Sequence, residues 1–244
     1  MSDQTETTTY DRDDEGVALL RLDRPKSRNA INTAMLEELI AHLARARADD
    51  QVRVLVVSST DHMSFSAGAD VREELDRSAA ERRMELFAQA YNEMTEFPKA
   101  TVAACHGACV GGGAELAVAC DLRVGGSNLR LRFPGAAFGI PVGPARLVTL
   151  AGLSVAKYLL LAGKEVAADE ALRWGLVHTV APAARTEEAA LQLAAQVATN
   201  DPAGVARLKR MLHDLDGVEE RSRAEGVGQV EWQRSNPGFT KIDD

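Results

Sequence analysis

The sequence predicts an α/β fold with a largely parallel sheet, and three observations carry that expectation. Strand-like and helix-like segments alternate through the first half of the chain. Val52 to Val57 is an almost unbroken β-branched run, the pattern of a strand covered on both faces. Two glycine-containing loops follow apolar runs directly, where strands hand over to helices. At 244 residues the chain is long enough to bury one full core.

Taken in order, residues 1–15 are acidic and polar and are expected to be a mobile tail. Val17 to Leu22 reads as a strand, stopped by Asp23-Arg24-Pro25. Thr33 is the expected N-cap of a helix in which Leu36, Leu39, Ile40 and Leu43 recur at helical spacing and which ends near Asp49. The strand at 52–57 follows, so the first unit is strand, helix, strand. Residues 58–72 form a loop. Ser78 and Glu81 have capping-box spacing for a helix that carries Met84, Phe87, Tyr91 and Met94 on one face, with Pro98 closing it. Thr101 to Cys105 reads as the next strand and His106-Gly107 as its turn, after which Gly111-Gly112-Gly113 opens a helix to about Cys120. Short apolar segments at 122–125 and 129–133 precede a loop marked by Gly139, Pro141, Gly143 and Pro144. The rest is mostly helical in period, with strand-like Leu176 to Val180 as the exception. Residues 16–185 are expected to form the core and 186–244 a charged, Ala-rich helical region punctuated by Pro202.

Composition narrows the function. The 28 basic and 36 acidic residues leave a net charge of −8, and the basic residues are spread along the chain rather than gathered in a stripe, which argues against a nucleic-acid partner. Uncharged stretches are interrupted well short of a membrane span, and the start has neither the basic nor the apolar region of a secretory signal, so a cytoplasmic location is expected. Cys105, Cys109 and Cys120 are odd in number and form no C-x-x-C pair; they read as small buried apolar residues, and no metal site is expected. The sequence contains no G-x-S-x-G, H-E-x-x-H or G-x-G-x-x-G, and Gly163-Lys164 lacks the rest of a phosphate loop.

What remains is the pair of loops, Ser66-Ala67-Gly68-Ala69-Asp70 and Gly107 to Glu115. Glycine lets the chain lie close to a ligand, and the second loop opens a helix whose first N–H groups have no intrahelical partner. Two such donors converging on one carbonyl oxygen would form an oxyanion hole; alternatively, both are no more than tight strand-to-helix turns.

Arg24-Pro25-Lys26-Ser27-Arg28-Asn29-Ala30, Phe65 to Asp70, Gly107 to Glu115 with Cys120-Asp121-Leu122-Arg123, and Ala171 to Val177 together resemble the enoyl-CoA hydratase/isomerase, or crotonase, superfamily in residues, order and spacing. The resemblance implies a ClpP/crotonase-like spiral of ββα units, an acyl-CoA thioester substrate, no cofactor beyond the coenzyme A of that substrate, and a homotrimer or hexamer. It implies that the amides of Ala69 and Gly112 are the oxyanion donors. It further implies that Ala67, Gly68 and Asp70 lie at the adenine end of CoA and that the segment from Arg24 through Lys26 and Arg28 to Ala30 contacts nucleotide and pantetheine.

Glu115 falls where the hydratases keep one of two catalytic glutamates. Chemically, a carboxylate there can act on water or on the carbon beside the thioester. The helix dipole favours its anion, so desolvation must oppose that effect if it is to serve as an acid; a helix-capping role is the alternative. The second glutamate of the family is absent: Phe133-Pro134-Gly135 places Gly135 at its position, and no Asp or Glu occurs between Asp121 and Glu165. The following loop is also about three residues shorter than in typical hydratases by comparison with that family pattern. The missing glutamate does not fit standard two-carboxylate hydration; the resemblance still implies hydration of a 2-enoyl-CoA, or a closely related enolate step, with Glu115 as general acid/base. Double-bond isomerisation with one carboxylate and a non-catalytic acyl-CoA-binding role stand as alternatives. His62, His106, Asp121 and Trp174 read as loop, turn and core residues.

Overall fold

The computed structural model describes residues 6–236. The strands and helices in chain order are β1 (Thr8–Arg12), β2 (Val17–Leu22), α1 (Thr33–Ala48), β3 (Val54–Ser59), β4 (Ser64–Ser66), α2 (Arg77–Thr95), β5 (Ala100–Cys105), β6 (Ala108–Val110), α3 (Gly112–Ala119), β7 (Leu122–Gly126), β8 (Arg130–Arg132), α4 (Pro144–Leu161), β9 (Val166–Ala167), α5 (Ala168–Arg173), β10 (Thr179–Ala181), α6 (Thr186–Ala198), α7 (Pro202–Asp216) and α8 (Val218–Ser235). They build a six-stranded sheet ordered β1-β2-β3-β5-β7-β10 and a four-stranded sheet ordered β4-β6-β8-β9. Pairing is parallel except at β1–β2 and β8–β9.

The chain spirals because consecutive strands go to different sheets: β3 then β4, β5 then β6, β7 then β8. Side-chain alternation gives the large sheet two dry faces. Leu20, Leu22, Leu55, Val57 and Ala103 pack toward α1, α2 and α3, whereas Leu19, Val54, Val56, Val102 and Val124 pack on the other face against Ala190, Ala194 and Ala198 of α6. Alanine every fourth residue lets α6 lie close on the β-branched surface. The three cysteines are buried.

Several local expectations are corrected. Within the segment expected to be a mobile tail, residues 8–12 form the edge strand β1, paired antiparallel with β2. Its anchor is polar: Thr7 N, Thr7 Oγ1 and Thr8 Oγ1 all donate to Glu38 Oε2, at 2.9, 2.8 and 2.8 Å. Residues 1–5 lie outside the described residues. Asn32, not Thr33, caps α1, accepting from Met35 N at 3.0 Å. Asp76 caps α2 through Ala79 N at 2.8 Å, two residues ahead of the expected cap Ser78. The strand expected at 52–57 runs from 54 to 59, and the one expected at 176–180 is confined to 179–181 because Leu176 and Val177 are already spent on the turn that closes α5, donating to Ala171 O.

α4 is the one described helix with the length and composition of a membrane span. Gly152, at φ 77° and ψ 156°, interrupts it, and Arg146 is buried in its first turn.

Candidate active site

Ser66 ends β4 fully buried, with its hydroxyl donating to Asn29 O at 2.7 Å and accepting from Gly68 N at 3.1 Å. Gly68 has φ +93°, and a Cβ there would lie 2.8 Å from Val110 O and 3.5 Å from Gly112 N. The position therefore requires glycine for both conformation and space. An isolated parallel bridge pairs Ile31 with Ala69: Ile31 N donates to Gly68 O at 2.7 Å and Asp70 N to Ile31 O at 2.8 Å. The neighbouring amides are thus engaged, and the amide of Ala69 between them has no hydrogen-bond partner among the described residues.

The second loop behaves the same way. Gly111 N donates to Arg132 O at 2.9 Å, and Glu115 N returns to Gly111 O at 2.9 Å. Gly112, the first residue of α3, has an amide with no acceptor among the described residues, as expected in a helical first turn. Both free amides belong to residues lining one cavity of about 260 Å³, which also holds Glu115; its wall is mostly apolar, with Met84, Phe87, Val110, Phe138, Ile140 and Val142, and its other polar side chains are Tyr91, Arg132 and Gln229.

Among the described residues Glu115 is the only Asp or Glu on that wall, and it is 1 % exposed. Its Oε2 accepts from Arg146 Nη2 at 2.9 Å and more weakly from Nε at 3.3 Å, while Oε1 carries no hydrogen bond among the described residues. Burial pushes its pKa up to about 7; Arg146 opposes the shift and nearby Glu225 adds to it. Burial thus outweighs the helix dipole, and near pH 7 Glu115 is divided between its neutral and anionic forms. Such a group exists in both protonation states near neutrality and can take and return a proton.

Sharing Ala67, Ala69 and Val71 with this cavity is a polar groove of about 760 Å³. Arg24, Lys26, Arg28, Ala30 and Asp70 line it, whereas Gly68 lines the inner cavity. Lys26 and Arg28 are exposed and form no ion pair among the described residues. Arg24 differs: its Nη1 binds Asp70 Oδ2 at 2.9 Å and Ala30 O at 2.5 Å, so it fastens the first loop rather than standing free. Burial works to raise Asp70, but hydrogen bonds from Arg24 and Arg72 N outweigh it and hold the carboxyl below its ordinary value. Arg72, which also lines the groove, was not singled out in the sequence.

His62 is exposed and lines neither cavity. His106 faces Asp61 O at 2.9 Å and Ser59 Oγ at 3.3 Å, a turn-stabilising role. Asp121 accepts from Thr101 N and Lys209 Nζ, at 2.8 and 2.7 Å, and ties α7 to the sheet. The groups that sequence reasoning missed are Arg146 and Glu225, which meet Glu115 only through the fold. Gly135 lines the cavity, so no carboxylate stands there.

The whole body of the chain, residues 12–227, matches the protein-family description "Enoyl-CoA hydratase/isomerase". The 2,3-dehydroadipyl-CoA hydratase of Escherichia coli is 36% identical over 205 residues, covering 83% of this chain and 80% of that protein. A putative enoyl-CoA hydratase of Thermus thermophilus is 37% identical over 213 residues, covering 83% and 82%. Among solved structures, an enoyl-CoA hydratase/isomerase from Xanthobacter autotrophicus superposes with a TM-score of 0.85 at 26% identity, covering 95% of this chain and 88% of that one. With these likenesses spanning both glycine loops and the buried glutamate, the chain belongs to the enoyl-CoA hydratase/isomerase family.

Proposed function

We propose that the chain hydrates a 2-enoyl-CoA thioester. The observation that carries this reading is the meeting, in one mostly apolar cavity, of two backbone amides without partners among the described residues and one buried carboxylate poised near neutrality. The thioester oxygen sits between the amides of Ala69 and Gly112. Glu115 takes a proton from water, whose oxygen bonds to C3. The C2–C3 π pair moves to C2 and onto the thioester oxygen as an enolate held by the two N–H groups. Glu115 then returns the proton to C2, so one water has been added and the carboxylate is restored. The acyl chain takes the apolar end of the cavity. The nucleotide lies along the groove, where Lys26, Arg28 and Arg72 supply the cations for phosphate.

A second reading, isomerisation of an enoyl-CoA double bond, draws on the solitary carboxylate: moving one proton between two carbons needs a single base. A panel of enoyl-CoA thioesters of short and long chain, scored by mass, separates the two, since hydration adds one water and isomerisation leaves the mass unchanged. A chain that binds the panel and converts none of it is a carrier. Gly135→Glu sharpens the comparison. A Cβ at Gly135 meets Ile140 O and Val142 Cγ1 at 3.0 Å, so the loop must yield a few tenths of an ångström to admit a side chain. For a site already competent in hydration, the variant is expected to gain less than about tenfold in hydratase rate, or about 1.4 kcal/mol of barrier. A larger gain favours the isomerase reading.

The proposed assembly is a homotrimer or hexamer. Its support is an uncovered apolar stripe on α7, Leu208, Met211, Leu212 and Leu215, together with exposed Leu153, Tyr158 and Leu161 on α4. The proposed location is the cytoplasm.

A further inference from the structure

Arg146 is 2 % exposed, and each of its three nitrogens has a defined partner. Nε and one proton of Nη2 go to Glu115 Oε2. Nη2 also donates to Glu225 Oε1 at 2.5 Å, and Nη1 to Ser222 Oγ at 2.8 Å. Ser222 Oγ in turn donates to Asn92 Oδ1 at 2.8 Å. Tyr91 lies with its ring centroid 5.3 Å from the guanidinium carbon. The polar groups packed around Glu115 are therefore Arg146 from α4, Glu225 and Ser222 from α8, and Tyr91 and Asn92 from α2.

Glu225 also has a second task. α4 has no side-chain N-cap of its own, and Glu225 Oε2 accepts from Ala145 N at 2.8 Å in its first turn. One carboxylate on α8 thus fixes both the start of α4 and the guanidinium that α4 carries. A guanidinium shared between two acids that are themselves buried is rigid, because any rotation strands a charge in a low-dielectric interior.

We propose that Arg146 and Glu225 are positioning residues for Glu115: the guanidinium holds Oε2 at the cavity wall so that Oε1 is left for the substrate, and Glu225 makes that setting depend on the docking of α8. The inference rests on Glu115 as the acid/base. Neither residue lines the cavity, so neither touches the reacting atoms. Their influence on Glu115 is opposite in sign, since Arg146 stabilises its anion and Glu225 destabilises it.

That opposition supplies the test. The pH dependence of kcat/KM is measured with crotonyl-CoA, or with the best substrate of the thioester panel, for wild type, Arg146→Gln, Arg146→Lys, Glu225→Gln and Glu115→Gln. In wild type the rate should fall below about pH 7, where Glu115 is protonated. Arg146→Gln is expected to move that limb upward by about 1 to 3 pH units and to lower kcat by about 10²-fold. Arg146→Lys should restore most of the limb but less of kcat, because a point charge replaces the fork. Glu225→Gln keeps the shape that caps α4 and should move the limb downward by about 1 unit. Limbs displaced in opposite directions support the inference, and the Arg146→Lys and Glu225→Gln pair decides it should Arg146→Gln not fold. Uniform rate loss with unmoved limbs, while Glu115→Gln is inactive, overturns the inference alone. Full turnover in Glu115→Gln overturns the reading on which it stands.

Discussion

Glu115→Gln is expected to lower turnover by about 10³-fold while leaving acyl-CoA affinity nearly unchanged. The amide is close to isosteric, and its oxygen can still accept from Arg146, whose charge remains matched by Glu225. The walls of the cavity and the Ala69 and Gly112 amides are untouched. On the proposed reading, what is lost is the ability to take a proton from water and hand it on, and among the described residues no other carboxylate lines the cavity to substitute. Binding is read by calorimetry with a saturated acyl-CoA, and chemistry by single-turnover measurement, so the two effects separate cleanly. Turnover persisting at the wild-type rate would place the chemistry elsewhere. Absence of turnover in wild type, with binding intact, would make the protein a carrier.

The parts of the site visible in the sequence are those whose function is written in consecutive residues. A loop that must aim backbone N–H groups at an anion needs glycines in fixed order, so Gly68 and Gly111 to Gly113 stand out, and Glu115 follows within the same helical turn. The parts that were not visible are assembled across the chain. Arg146 lies 31 residues from Glu115, and Glu225 lies a further 79 from Arg146; on its own strand of sequence each reads as an ordinary surface charge on a helix. Their burial follows from α8 packing against α2 and α4, which no local period encodes. The same distinction explains the fold. β3 and β5 were legible from β-branched or apolar runs buried on both faces. β6 was not, because three residues between glycines acquire strand geometry only through pairing with β4 and β8. β1 was hidden by its polarity: Thr7, just ahead of it, and Thr8, its first residue, are ordered by Glu38, more than one element away. Arg24 shows the reverse case, a cation that lines the groove but is already committed to Asp70.

Gly113→Ala is expected to cost the enzyme about 10²- to 10³-fold in kcat and to destabilise it by about 1–3 kcal/mol. Gly113 sits at a helical φ, so no conformational strain attends the change; the effect is steric. A Cβ there would lie 2.4 Å from Ser66 Cβ and 2.7 Å from its Oγ. Ser66 cannot swing aside, since its hydroxyl is held between Asn29 O and Gly68 N and the residue is fully buried. Either α3 or the 66–70 loop must therefore retreat, and those are the two segments that carry the Gly112 and Ala69 amides. If the two amides share one oxygen as proposed, they lose that common target when either segment moves, although each N–H remains intact. Gly228→Ala provides the control: it adds the same methyl inside α8, where nothing lies within 4 Å, and should leave kcat unchanged while raising stability by up to about 1 kcal/mol through helix propensity. Thermal melting and steady-state kinetics on the two variants distinguish a general cost of added bulk from separation of the amides. If Gly113→Ala keeps full activity despite that contact, the paired amides do not hold the developing charge, and the proposed enolate chemistry fails with them.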